Sequence, residues 1–175
     1  SSHQKMKTNC VRFILLGLGA WLVRAAGPDW YGVTALGTNL MGAVVIQAGL
    51  NLSVPGLCLW ALGMGLFWDF ATFSALGHHA LVLGVVGMLV RTQKGWWVGA
   101  SWGEQAVGSI LAAVAFFAWD RFLHCWEVRA WTWPFSLNVA LVIAGMTNGL
   151  VSVLLGIWLK PIAERARVGG LGRRR

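Results

Sequence analysis

Asp69 is a carboxylate set in the apolar stretch Gly65-Leu-Phe-Trp-Asp69-Phe-Ala-Thr-Phe-Ser-Ala-Leu-Gly77-His-His, which then continues without charge to Val90. Two apolar segments joined by a turn as short as Ser74-Ala-Leu-Gly77 predict a helical hairpin inside a bilayer. A carboxylate facing lipid there costs about 2.5–3.5 kcal/mol on insertion scales. Asp69 is therefore expected to face other helices or a watery cavity, which makes it the first functional candidate. Other groups can join it. His78 and His79 open the second arm, and Asp120, His124 and Glu127 follow one another at i, i+4 and i+7 on one face of a later helix. Such a set could hold a ligand, or a partner's polar groups, in an outward-facing bowl. It could equally be satisfied internally, with Asp69 paired to Arg24 or Arg121.

Catalytic and metal-binding arrangements are weaker. Gly99-Ala-Ser101-Trp-Gly103 matches the nucleophile-elbow string, but no strand precedes it. The embedded histidines fall on the other side of the membrane, so no base reaches Ser101. His78-His79 and His124-Cys125 are adjacent pairs, without the i, i+4 spacing that puts two ligands on one helical face. A metal site would need separate helices to converge, so no metal and no other cofactor is expected, and the chain is read as non-enzymatic. Cys10, Cys58 and Cys125 form no pattern and read as small apolar fillers. Small residues carry a further signal. Gly145, Gly149, Ser152 and Gly156, spaced 4, 3 and 4 apart, form one ridge beside Asn148. Such ridges let another helix approach closely, either an internal one or that of a second protein.

The elements that must position these groups follow from composition. Hydrophobic residues make up 57% of the chain before its 23 glycines are added, and charged residues only 11%, against about 25% charged in soluble domains. Glycine lets membrane helices approach, and the twelve tryptophans suit bilayer interfaces. The fold class is therefore all-α integral membrane, with six transmembrane helices near 11–26, 32–52, 56–75, 78–90, 104–126 and 135–159. The fourth is short for a span. Residues 1–8 read as a disordered or tag-derived lead, 9–160 as a single six-helix domain, and 161–175 as a basic cytoplasmic tail. Gly27-Pro28 breaks the first helix, Trp30-Tyr31 suits a headgroup layer, and Pro55 fits a first helical position. Trp126–Trp133 fall at the same interface as Trp30, and Trp96–Trp102 and Trp158 at the opposite one.

Charge sets the orientation. The N-terminus, the Arg91–Gly103 loop and the C-terminus hold eleven of the fourteen Lys and Arg with two acids, net +9; the opposite side holds Arg24, Arg121 and Arg129 against Asp29, Asp69, Asp120 and Glu127, net −1. The positive-inside rule then puts both termini in the cytoplasm. The basic tail reads as an orientation signal and a contact for anionic lipid headgroups. Nucleic-acid binding is not expected, because no soluble basic domain exists to perform it.

The hairpin stretch resembles the signature of the rod-shape-determining MreD family: a small residue, an apolar run, an Asp, a turn, then Leu-Gly and the next span, here Gly65 through Asp69 to Leu76-Gly77. Asn148-Gly149 in the last span, followed by a basic tail, looks like the family's C-terminal end, and Thr38-Asn39 stands where the family has Pro-Asn. The resemblance runs from about Asn9 to Arg167. It implies a non-catalytic scaffold of the bacterial cell-elongation machinery in the cytoplasmic (inner) membrane, helping control cell shape and peptidoglycan synthesis. The partner implied is MreC, a single-span protein with a periplasmic domain, and through it MreB filaments, RodA and its transpeptidase partner. The family is also similar in fold to the substrate-binding components of energy-coupling-factor transporters. The alternative function is thus a vitamin-binding transporter subunit, with the bowl as its pocket. Those subunits dock through an Ala-xxx-Ala patch on the first span, whereas here Gly17, Gly19 and Ala20 are followed four residues later by Trp21, Val23 and Arg24. The residues expected to bind a partner or ligand are Asp69, Gly77, Asp120, His124, Gly145, Asn148, Gly149, Ser152 and Gly156.

Overall fold

A computed structural model describes residues 2–26, 39–127, 129 and 135–159, and all regular structure among them is helical. The helices are α1 (Ser2–Ala26), α2 (Met41–Asn51), α3 (Val54–Thr72), α4 (His78–Thr92), α5 (Lys94–Gly99), α6 (Trp102–Glu127) and α7 (Phe135–Leu159). Three segments are long and apolar enough to cross a bilayer, Val54–Thr72, Gly103–Glu127 and Leu137–Leu159; Met41–Asn51 and His78–Thr92 are apolar but shorter. The chain is thus an all-α, multi-pass membrane protein, and three of the six expected spans qualify by their own length and composition. At 1.5 Å per residue α4 extends about 22 Å, short of a hydrocarbon core of about 30 Å. Trp30, Tyr31, Thr38, Trp131, Trp133 and the basic tail lie outside the described residues.

The boundaries have local causes. Ser53 accepts a hydrogen bond from the Gly56 N–H at 3.3 Å and so caps α3, with Pro55 in its first turn as expected. Helix α1 already begins at Ser2, ahead of the expected start near Val11. The Arg91–Gly103 segment, expected as a loop, contains the short helix α5. Within it Trp97 is buried against the core at 7% exposed, while Trp96 is half exposed. The Arg91 guanidinium donates to the Leu52 carbonyl just past the end of α2, a favourable place for a cation.

Helix α2 is the central post. Met41 through Gly49 are all buried, as an all-round apolar helix requires, and α2 touches α1, α4, α6 and α7. Its polar side chains bond within the protein, Gln47 buried and Asn51 exposed at the helix end. Gln47 Nε2 donates to the Ser152 carbonyl at 2.7 Å and to its hydroxyl at 3.1 Å, and Asn51 Nδ2 donates back to the Gln47 carbonyl at 2.9 Å. Asn148 Oδ1, reaching from α7, accepts from the Ala43 N–H at 3.0 Å in the first turn of α2.

The small-residue ridge of α7 is also used internally. A Cβ on Gly149 would sit 2.7 Å from the backbone nitrogen of Ile110, one on Gly145 2.3 Å from Val114, and one on Gly156 3.0 Å from Gln47. Ser152 and Asn148 are fully buried. Of the two occupants the sequence allowed for this ridge, the bundle's own α6 and α2 fill it.

Candidate functional site: the base of the α3–α4 hairpin

Helices α3 and α4 pack so closely that a Cβ on Gly65 would fall 2.2 Å from the Ala80 Cα. That contact needs glycine, and it brings the last turn of α3 against the first turn of α4. Asp69 lies there, 1% exposed. Its Oδ2 accepts from the Gly77 N–H at 2.6 Å; its Oδ1 accepts from the His79 N–H at 3.0 Å and from the Ser74 hydroxyl at 3.0 Å, and contacts His79 Nδ1 at 2.8 Å. The carboxylate thereby satisfies N–H groups at the start of α4, which lack intrahelical partners. Gly77, at φ 94°, supplies the left-handed turn that aims them. Asp69 does have company other than lipid, as expected, but it comes from its own hairpin.

Helix α6 completes the site. The 4% exposed His78 side chain has Nδ1 2.7 Å from Glu127 Oε1 and Nε2 3.0 Å from Asp120 Oδ1. His79 Nε2 lies 3.9 Å from the same Asp120 oxygen. The two imidazoles meet edge to face at 4.9 Å, and His79 stacks on the buried Trp68 at 4.8 Å with an 8° tilt. Three carboxylates from two helices thus surround two imidazoles. Asp120 and Glu127 share a face as the i, i+7 spacing requires, while His124, between them in sequence, is exposed.

Of the residues singled out from sequence, Asp69, Gly77 and Asp120 come together here. Gly145, Asn148, Gly149, Ser152 and Gly156 belong to the α2–α6–α7 packing. His78 and His79, which the sequence placed in the polar bowl without counting them among the expected binding residues, are central, and Ser74, given no role there, joins them. The signal for them was their position immediately around Gly77, at the mouth of the hairpin. Ser101 has a different role. Its hydroxyl accepts from the Glu104 N–H at 3.4 Å and its own N–H donates to Glu104 Oε2 at 2.6 Å. That reciprocal pair is a capping box starting α6, which gives the serine of the Gly-xaa-Ser-xaa-Gly string a structural role.

Beyond the polar knot the turn carries apolar side chains outward. Phe73 is 97% exposed at φ 52°, Leu76 70% and Phe70 69% exposed. A bulky residue in the left-handed region costs about 1–2 kcal/mol. Here it ends α3, with its N–H bonded to the Asp69 carbonyl.

No family model, curated protein or solved structure matches this chain.

Proposed function

We propose that the protein is a non-catalytic membrane scaffold that docks a single-span partner through the tip of the α3–α4 hairpin. The observation that carries this reading is Phe73, held fully exposed in a left-handed conformation by a turn that Asp69 locks beneath it. An aromatic side chain this exposed gains no burial within the chain, and backbone strain of this kind clusters where a surface binds something. Phe70 and Leu76 widen the apolar tip. Rigid presentation lowers the ordering cost of binding, since fewer rotamers and loop states are lost on contact.

The resemblance of the hairpin to the MreD signature supplies the partner class: an MreC-type protein with one membrane helix, acting in the bacterial elongation complex with MreB, RodA and its transpeptidase partner. On this reading the shorter helices α2 and α4 complete a six-span bundle like those of the energy-coupling-factor substrate-binding components. Both termini then lie in the cytoplasm, and the basic tail lies against anionic lipid. The mutual pairing of Asp69, His78, His79, Asp120 and Glu127 favours a scaffold over a vitamin pocket, because these groups are already bonded to one another.

Co-expression with an MreC-type partner and affinity capture tests the proposal. Phe73→Gly removes the aromatic while suiting the backbone, so the protein stays folded and capture falls by about tenfold, as for a moderate interface hot spot. Unchanged capture, or a stoichiometric vitamin retained in native mass spectrometry, refutes it.

A further inference from the structure

We propose that His78, His79 and Asp120 bind one divalent transition-metal ion of the zinc type, riveting the α3–α4 hairpin to α6. The inference does not depend on the scaffold reading.

One ligand atom from each of these residues lies within 4.8 Å of the others. The two distances to Asp120 Oδ1, 3.0 Å from His78 Nε2 and 3.9 Å from His79 Nε2, bracket the separation a tetrahedral ion imposes. With bonds of ~2.0–2.1 Å that separation is about 3.3 Å. Small rotations of side chains would bring all three to an ion between them.

The outer groups point the same way. A ligating imidazole normally donates its other N–H to a carboxylate, which fixes the tautomer and aims the free nitrogen. Both rings have that partner. His78 Nδ1 is 2.7 Å from Glu127 and His79 Nδ1 is 2.8 Å from Asp69, so both Nε2 atoms are turned toward Asp120. Asp69 is itself fixed by backbone N–H groups, and His79 by its stack on Trp68. Two imidazoles and a carboxylate suit zinc and its neighbours rather than calcium or magnesium, which take oxygen ligands. The Asp120 side chain is 31% exposed against 4% for His78, which gives the ion an entry side and leaves a coordination position for water. The adjacent histidines cannot share one helical face; they converge because the first turn of α4 packs against α6, and both rings present Nε2 to the same Asp120 Oδ1.

The test uses the full chain in detergent, stripped with a chelator and titrated with zinc chloride against a chromophoric competitor. One zinc per chain is expected, with X-ray absorption giving two imidazoles and oxygen ligands at ~2.0–2.1 Å. His79→Ala and Asp120→Ala abolish stoichiometric binding, Glu127→Gln weakens it by about 10–100-fold, and the exposed His124→Ala leaves it unchanged. Because ligand variants could also disturb folding, the unaltered protein provides an independent readout: zinc raises its melting temperature and the chelator reverses the rise. Absence of stoichiometric zinc, a coordination shell containing sulfur or fewer than two imidazoles, or equal binding by His79→Ala and the parent overturns the proposal.

Discussion

Asp69→Asn is the sharpest probe of the hairpin. The carboxylate accepts from two backbone N–H groups, Gly77 and His79, and from the Ser74 hydroxyl, and it contacts His79 Nδ1. An asparagine offers one acceptor oxygen and one NH2 group in the same space. Either way round, the NH2 meets a backbone donor: Gly77 at the Oδ2 position, or His79 at the Oδ1 position. The cheaper orientation keeps the oxygen at Oδ1 and leaves the Gly77 N–H facing a donor. Losing a hydrogen bond to a charged group, with the orphaned donor, costs about 1.5–3 kcal/mol. The remaining bonds weaken because they are no longer charge-assisted, for a total of about 3 kcal/mol. A chain of 175 residues shifts by about 2–4 °C per kcal/mol, so the melting temperature falls by about 6–12 °C. Tryptophan fluorescence of the purified chain in detergent reads this directly, because Trp68 lies one residue away and stacks on His79. A melting temperature within about 2 °C of the parent would mean that the carboxylate does not hold the turn, and the account of rigid tip presentation would go with it.

Other substitutions separate packing from function. Gly65→Ala forces a Cβ to 2.2 Å from the Ala80 Cα, where only backbone could move, whereas Gly63 on the same helix has nothing within 4 Å. The first is expected to lose about 3 kcal/mol or more by overpacking and the second to be neutral or to gain up to about 1 kcal/mol from helix propensity, both read by thermal melts. Asn148→Ala removes one of the two acceptors of the Ala43 N–H and leaves the Leu40 carbonyl at 3.1 Å, so it costs about 1 kcal/mol, read by thermal melts. Ser101→Ala removes the α6 cap at about 1 kcal/mol while partner capture stays at the parental level. Phe73→Gly relieves the left-handed strain, so its melting temperature holds or rises even as capture falls.

Composition and periodicity by themselves determined that this is a helical membrane protein, where α3, α6 and α7 run, and that Asp69 is shielded from lipid. Those features follow from the cost of charge and unpaired backbone in hydrocarbon, which any window of sequence registers. The caps at Ser53 and Ser101 emerged only in the structure, although their partners lie three residues away. What surrounds Asp69 was not readable. Arg24 and Arg121 were the internal partners considered; the turn took that place because of where α4 meets α3, and a glycine contact with Ala80 set that distance. Nor could local spacing bring His78 and His79 onto Asp120, 42 and 41 residues further along the chain. Whether α7's glycine ridge would meet an internal helix or a second protein was likewise decided by Ile110, Val114 and Gln47 on other helices. Sequence period fixes which face of a helix is apolar or small; only assembly of the bundle fixes what that face meets, because the choice is made by side chains far away in the chain competing for the same space.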